Sequence, residues 1–198
     1  MKNISFIFIL LFCSFIMSSA YSIEGVNTVN TNESSQKIFT APATSLTITN
    51  SATLTRSGDG SVRIDNQNNG TLIVHSGSTV TATGSNAVSA TRQSGLTLTN
   101  SGTISAGSSK AIGLQNAQNS IITNNSGGII KSNTNTITFT EKDDTANIVT
   151  INNSGEIYAE AVSSGGTYNN AIKSESATDN ITIINNSGGH IHNNNSAN

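Results

Sequence analysis

The chain has 198 residues, only 10% of them charged, with no Trp and a single Pro; Asn, Ser and Thr supply 28, 30 and 26 residues. With 34% hydrophobic and 5% aromatic residues, a globule packed around large rings is excluded. Low charge together with abundant Ile, Val and Thr argues against a disordered tail. A net charge of -2 with three arginines leaves no electrostatic footprint for nucleic acid.

Met1-Lys2-Asn3 is a short, weakly positive start, and Ile4 to Met17 is almost wholly apolar. Ser18-Ser19-Ala20 then places small residues where a signal peptidase cleaves, so residues 1–20 are expected to be a secretory signal peptide. The apolar block is shorter than the roughly 20 residues that span a bilayer, so stable membrane insertion of the mature chain is not expected. Cleavage after Ala20 removes Cys13, the only cysteine, together with Lys2. The exported chain therefore has to be stable without disulfides, in a compartment where small domains often rely on them.

Residues 21–43 read as a lead-in or cap, and residues 44–198 as repeats with an incomplete C-terminal end. A phrase of the form apolar-x-Asn-Ser-Gly-x-apolar recurs along the second segment. It appears as Ile48 to Leu54, Ile73 to Val80, Leu98 to Ile104, Thr123 to Ile129, Ile151 to Ile157 and Ile184 to Ile191. Ala52, Gly77, Gly102, Gly127, Gly155 and Gly188 anchor the copies, at spacings of 25, 25, 25, 28 and 33 residues. A second phrase falls between them as Ser61-Val62, Ala87-Val88, Ala111-Ile112, Thr136-Ile137 and Ala171-Ile172. Each repeat thus holds at least two short strands separated by Gly, Asn and Ser turns. Such a unit cannot bury its apolar face alone, whereas stacking it as successive coils does. The expectation is an all-β solenoid of six to seven coils, about 25 residues each. Its rungs would lie about 4.8 Å apart, making a rod roughly 30 Å long.

If Leu96 and Leu98 point inward, strand alternation sends Asn100 inward as well. The phrase then predicts a ladder of inward asparagines at Asn50, Asn100, Asn125, Asn153 and Asn186, satisfying one another from coil to coil. His75 would take the ladder position in the second copy. Gly77, Gly102, Gly127, Gly155 and Gly188 are the expected structural turn glycines.

The leader followed by Leu96 to Ile104, Ile121 to Ile130, Val149 to Ile157 and Ile181 to Ile191 resembles the passenger region of Gram-negative autotransporters. The resemblance covers about Thr44 to the C-terminus. It implies a right-handed parallel β-helix, displayed at the cell surface or outer membrane after passage through the periplasm, or secreted. Its role would be a structural stalk or adhesin-like binding module. Partners would be a host-surface or extracellular ligand, and a translocator β-barrel if one is encoded downstream. An autotransporter ends in such a barrel, and this sequence stops at Asn198 without one. A truncated, non-functional fragment is therefore an alternative.

The sequence carries few residue patterns that imply chemistry. His190-Ile191-His192 projects two imidazoles to one side of a strand but lacks further ligands, and no metal site is expected. Glu141-Lys142-Asp143-Asp144 lies in the three-residue insertion before the fifth copy. A small calcium-dependent polysaccharide lyase or hydrolase would need more acids and a basic residue on one face. The bland reading is a solvated loop. Arg63 and Asp65 form an exposed pair worth little. No catalytic residue and no cofactor is expected. The eight-residue insertion Ser163 to Asn170 contains one of three tyrosines, so a binding loop is expected at Tyr168, Asn169 and Asn170.

Overall fold

The computed structural model describes residues 19–58, 60–142, 144–160 and 169–194, and among them all regular structure is β. A first coil holds β1 (Ala20–Ile23) and β2 (Val26–Val29), closed by a bridge from Glu33 to Leu54. The second coil is β3 (Gln36–Phe39), β4 (Ser45–Ile48) and β5 (Thr53–Arg56), and the third is β6 (Val62–Asp65), β7 (Thr71–Val74) and β8 (Thr79–Ala82). Next come β9 (Val88–Thr91), β10 (Thr97–Asn100) and β11 (Thr103–Ala106), then β12 (Ile112–Gln115), β13 (Ser120–Asn124) and β14 (Ile129–Ser132). The sixth coil is β15 (Ile137–Thr140), β16 (Ile148–Asn153) and β17 (Glu156–Ala159). The last is β18 (Ile172–Ser174), β19 (Asn180–Asn185) and β20 (His190–Asn193).

Strands from successive coils pair in parallel into three sheets. Sheet A is β1-β3-β6-β9-β12-β15-β18, sheet B is β2-β4-β7-β10-β13-β16-β19 and sheet C is β5-β8-β11-β14-β17-β20. The fold is a parallel β-helix of seven coils. The second sequence phrase is the start of sheet A, where Val62, Val88, Ile112, Ile137 and Ile172 pair in succession. The stack begins earlier than the repeats suggest, because β1 to β3 occupy the stretch expected as a lead-in. Ala20 pairs with Gln36 and Val26 with Ser45, so the first coil is only 16 to 19 residues long and has no Asn-Ser-Gly corner. A search by period cannot see it.

The core consists of columns rather than a cluster. Leu46, Leu72, Leu98, Ile122 and Ile151 sit above one another in sheet B, and Leu54, Val80, Ile104, Ile130 and Ile157 in sheet C, all fully buried. Burying each such side chain contributes about 1.5–3 kcal/mol. A narrow lumen leaves room for few rings. Phe39 and Phe139 are buried in sheet A, with Ala90 between them in the same column. The two ends differ. Val29 in the first coil is 2% exposed, whereas Ile183, which continues the Leu46–Ile151 column in the last, is 47% exposed.

The corner from sheet B to sheet C explains both the repeated phrase and where it misleads. Two residues bridge Asn100 to Thr103 and Asn153 to Glu156, but four bridge Ile48 to Thr53, Val74 to Thr79, Asn124 to Ile129 and Asn185 to His190. Asn-Ser-Gly therefore begins on the inward position in the short corners and one residue later in the long ones. The sheet register places Ile48, Val74, Asn100, Asn124, Asn153 and Asn185 in one column. Asn100 Nδ2 donates to Asn124 Oδ1 at 2.8 Å, Asn124 Nδ2 to Asn153 Oδ1 at 2.9 Å, and Asn153 Nδ2 to Asn185 Oδ1 at 2.8 Å. The ladder expected at Asn100 and Asn153 is there, but its other members are Asn124 and Asn185. Asn125 and Asn186 lie one position outside it and donate to Ser101 Oγ and Ser154 Oγ. Asn50 and His75 are exposed in their corners, and Ile48 and Val74 occupy the column instead.

The expected turn glycines split in the same way. Gly77, Gly127 and Gly188 stand in long corners at φ of 78°, 78° and 83°, a left-handed conformation that β-carbon-bearing residues avoid. Ser51 takes the equivalent place in the first long corner at φ 57°. Gly102 and Gly155 sit in short corners, where a β-carbon would strike carbonyls of the coil above: those of His75 and Ser78 for Gly102, and of Asn125 and Gly128 for Gly155.

Candidate binding surface

Chemistry-bearing side chains concentrate on the outer face of sheet C in the last three coils. Strand alternation sends Ile130, Ile157 and Ile191 inward and leaves their neighbours outside. Parallel pairing then builds two outer columns. One is Ile129, Glu156 and His190; the other is Lys131, Tyr158 and His192. The Tyr158 and His192 rings stack with centroids 5.2 Å apart and planes 10° from parallel. Lys131 Nζ lies 2.8 Å from Glu160 Oε1 and 6.0 Å from the Tyr158 ring centre. The hydrogen bond to Glu160 is the main cause holding the Lys131 ammonium above its ordinary pKa, against the opposing effect of partial burial.

Beside this patch, the B-to-C corners of the same coils enclose an open hollow of about 340 Å³, lined by Gly128, Ile129, Ser154, Gly155, Glu156 and His190 among others. The absence of side chains at the glycines makes the hollow; Glu156 and His190 give it polar walls. The patch offers a carboxylate, two imidazoles, a phenol and an ammonium within two adjacent columns. That donor and acceptor set suits a polar, hydroxyl-rich or charged ligand. The His190-x-His192 pair points outward as alternation requires, with Ile191 packed on the core. Among the described residues no three His, Cys, Asp or Glu side chains come together as a metal set.

The other expected features are stitched into the framework. The insertion at residues 141–147 lies at the corner from sheet A to sheet B. Asn116 clamps its backbone, accepting from Lys142 N at 2.7 Å and donating to Lys142 O at a short separation. Glu141 accepts from Thr178 Oγ1 at 3.0 Å and from Ser176 Oγ. Asn147 is buried and bonds Asp179 Oδ1 through both its backbone and side-chain nitrogens. Asp143 falls outside the described residues. Arg63 and Asp65 pair on the outer face of sheet A.

In the second insertion Tyr168 falls outside the described residues, and Asn169 and Asn170 are hydrogen-bonded to the preceding coil. Asn169 is 8% exposed and donates to Asn133 O at 2.9 Å, and Asn170 N donates to Asn135 Oδ1 at 2.9 Å. Asn169 is thus buried and Asn170 half-buried against the corner of the preceding coil.

No protein family, curated protein or solved structure matches the chain. The patch on sheet C therefore rests on geometry alone. Lys131, Glu156 and Tyr158 are its members that reading the sequence passes over. The signal for them is the x-Ile-x triplet that opens each sheet C strand: Ile129-Ile130-Lys131, Glu156-Ile157-Tyr158 and His190-Ile191-His192.

Proposed function

We propose that the chain is an exported passenger-type β-helix acting as a surface stalk, with an adhesin-like binding patch on sheet C around Glu156, Tyr158, His190 and His192. The observation that carries the reading is the stack itself. Seven coils in continuous register, with inward amides satisfied by one another, make a rod whose outer side chains are free to vary without disturbing the core. The leader-like residues 1–20 support export, and the likeness to autotransporter passengers supports display, with a translocator barrel and an extracellular ligand as partners. Concentration of polar chemistry on one face supports recognition there.

Two measurements test this. Residues 1–20 fused to a phosphatase that is active only after export should give an active enzyme in a Gram-negative host, and an inactive cytoplasmic fusion would overturn export. Protein immobilised on beads should retain an extracellular glycan or matrix ligand. The combined change Tyr158→Ala and His190→Ala should reduce retention at least tenfold without altering the β-signature in circular dichroism. Undiminished retention by that variant would remove the patch from the proposal.

A further inference from the structure

The seven strands of sheet B contain no Asp, Glu, Lys, Arg or His, whereas sheets A and C carry several. Their outward residues form two columns running the length of the rod. The first is Val26, Ser45, Thr71, Thr97, Ile121, Thr150 and Thr182; the second is Thr28, Thr47, Ile73, Thr99, Thr123, Asn152 and Ile184. Val26, Ile121 and Ile184 are 86%, 43% and 46% exposed, and Ile148 on the same sheet is also exposed. Charges lie along the edge that adjoins sheet A, at Glu24, Arg92, Lys142, Asp144, Glu175 and Asp179, while the corners to sheet C are polar without Asp, Glu, Lys or Arg. A charge-depleted centre with a polar margin, charged on one side, is the anatomy of a protein interface.

We infer that this face is the self-association surface of the protein, pairing two rods side by side through a two-fold axis parallel to the rod. Two properties point to a second copy as the occupant. Such an axis sets each first-column residue opposite the second-column residue of the same coil in the partner. Val26 then meets Thr28 of the partner subunit, Ile73 meets the partner's Thr71, Ile121 meets the partner's Thr123 and Ile184 meets the partner's Thr182. Every aliphatic in the columns faces a threonine, which is no larger than itself, and the columns carry no charge to oppose the pairing. The extent is also suitable. Seven strands spaced at about 4.8 Å, each roughly 13–20 Å long, give a face of about 500 Å² in projection and more in accessible area. That approaches the roughly 800 Å² per partner of a standard interface. Parallel rods would leave both sheet C patches exposed on the outside. This inference does not depend on the chain being exported or on what the patch binds.

Sedimentation analysis of the purified full chain across a concentration series tests it. The wild type should sediment as a dimer. Thr99→Arg, at the centre of sheet B, should weaken dimerisation at least tenfold, whereas Thr81→Arg, the equivalent outward change on sheet C, should leave it unchanged. Ile121→Lys serves as the second sheet B variant should Thr99→Arg lose its β-signature in circular dichroism. A wild type that remains monomeric, a dimer that survives both sheet B substitutions, or equal weakening by Thr81→Arg would each overturn the inference.

Discussion

Replacing Asn124 by Val tests whether the amide column, rather than general apolar burial, couples the middle coils. Asn124 accepts from Asn100 at 2.8 Å and donates to Asn153 at 2.9 Å, with further contacts to Gly128 O at 3.2 Å and Glu156 O at 3.1 Å. The substitution removes both links and strands Asn153 Oδ1 in the interior, whereas Asn100 Nδ2 keeps Gly102 O and Ile129 O as acceptors. A lost hydrogen bond costs about 1 kcal/mol net, and each stranded buried group adds about 1–3 kcal/mol. Burying Val in place of an amide offsets roughly 1 kcal/mol. The expected loss is about 3 kcal/mol. Asn100→Val should cost less, because Val74 already stands above it and a single ladder link, to Asn124, is broken besides the local bonds to Gly102 and Ile129. In the double variant the shared Asn100–Asn124 bond is lost only once, so the two effects should fall short of additivity by about 1 kcal/mol. Urea unfolding followed by circular dichroism measures the losses. Hydrogen exchange at the amides of the fifth and sixth coils locates them, since a solenoid can open in parts. If Asn124→Val is no more damaging than Asn100→Val, the column does not act as a connected chain and the argument fails.

Gly155→Ala should destabilise by at least about 2 kcal/mol, because its β-carbon would meet backbone carbonyls of the coil above. Gly127→Ala has open space and should cost only the left-handed backbone penalty of about 1 kcal/mol, with melting temperatures resolving the difference. Ser51→Gly, at φ 57°, should stabilise by roughly 0.5–1 kcal/mol, visible as a raised melting temperature. The Lys131–Glu160 pair raises the Lys131 pKa, so its contribution is fully present below the ordinary lysine value of about 10.4 and is lost as pH rises through the higher folded value. Partial exposure limits it to a few tenths of a kcal/mol, and the stability gap between wild type and Glu160→Gln should close across that alkaline window.

Alternation and period carried most of the architecture. Leu96-x-Leu98-x-Asn100 placed three residues on the inner face, and the Ser61-Val62 series marked five of the seven strands of one sheet. The ladder was legible only where its corner was short. In Asn124-Asn125 and Asn185-Asn186 two adjacent amides compete for one inward position, and composition cannot choose between them. Corner length chooses, because it sets which residue ends the strand, and it becomes visible only once both flanking strands are paired. The even 25-residue spacing was partly a coincidence of phase, since the ladder itself steps by 24, 29 and 32 residues. The sheet C patch was hidden for another reason. Tyr158 and His192 are separated by a long insertion, and no local motif links residues that only the coil brings into contact. The neutrality of sheet B is likewise invisible until strands are assigned to faces.

Corner length is therefore a neutral variable in this rod. Two or four residues join the same pair of strands with every side chain keeping its facing, so a lineage can gain or lose two residues there without repacking anything. The corner from sheet C to sheet A varies by a single residue, five between Ala106 and Ile112 but four between Ser132 and Ile137, with facing likewise kept. Homologous rods should thus drift in sequence phase at their corners while the sheets stay in register, and a peptide grafted between Ser126 and Gly127 should be displayed rather than unfold its host.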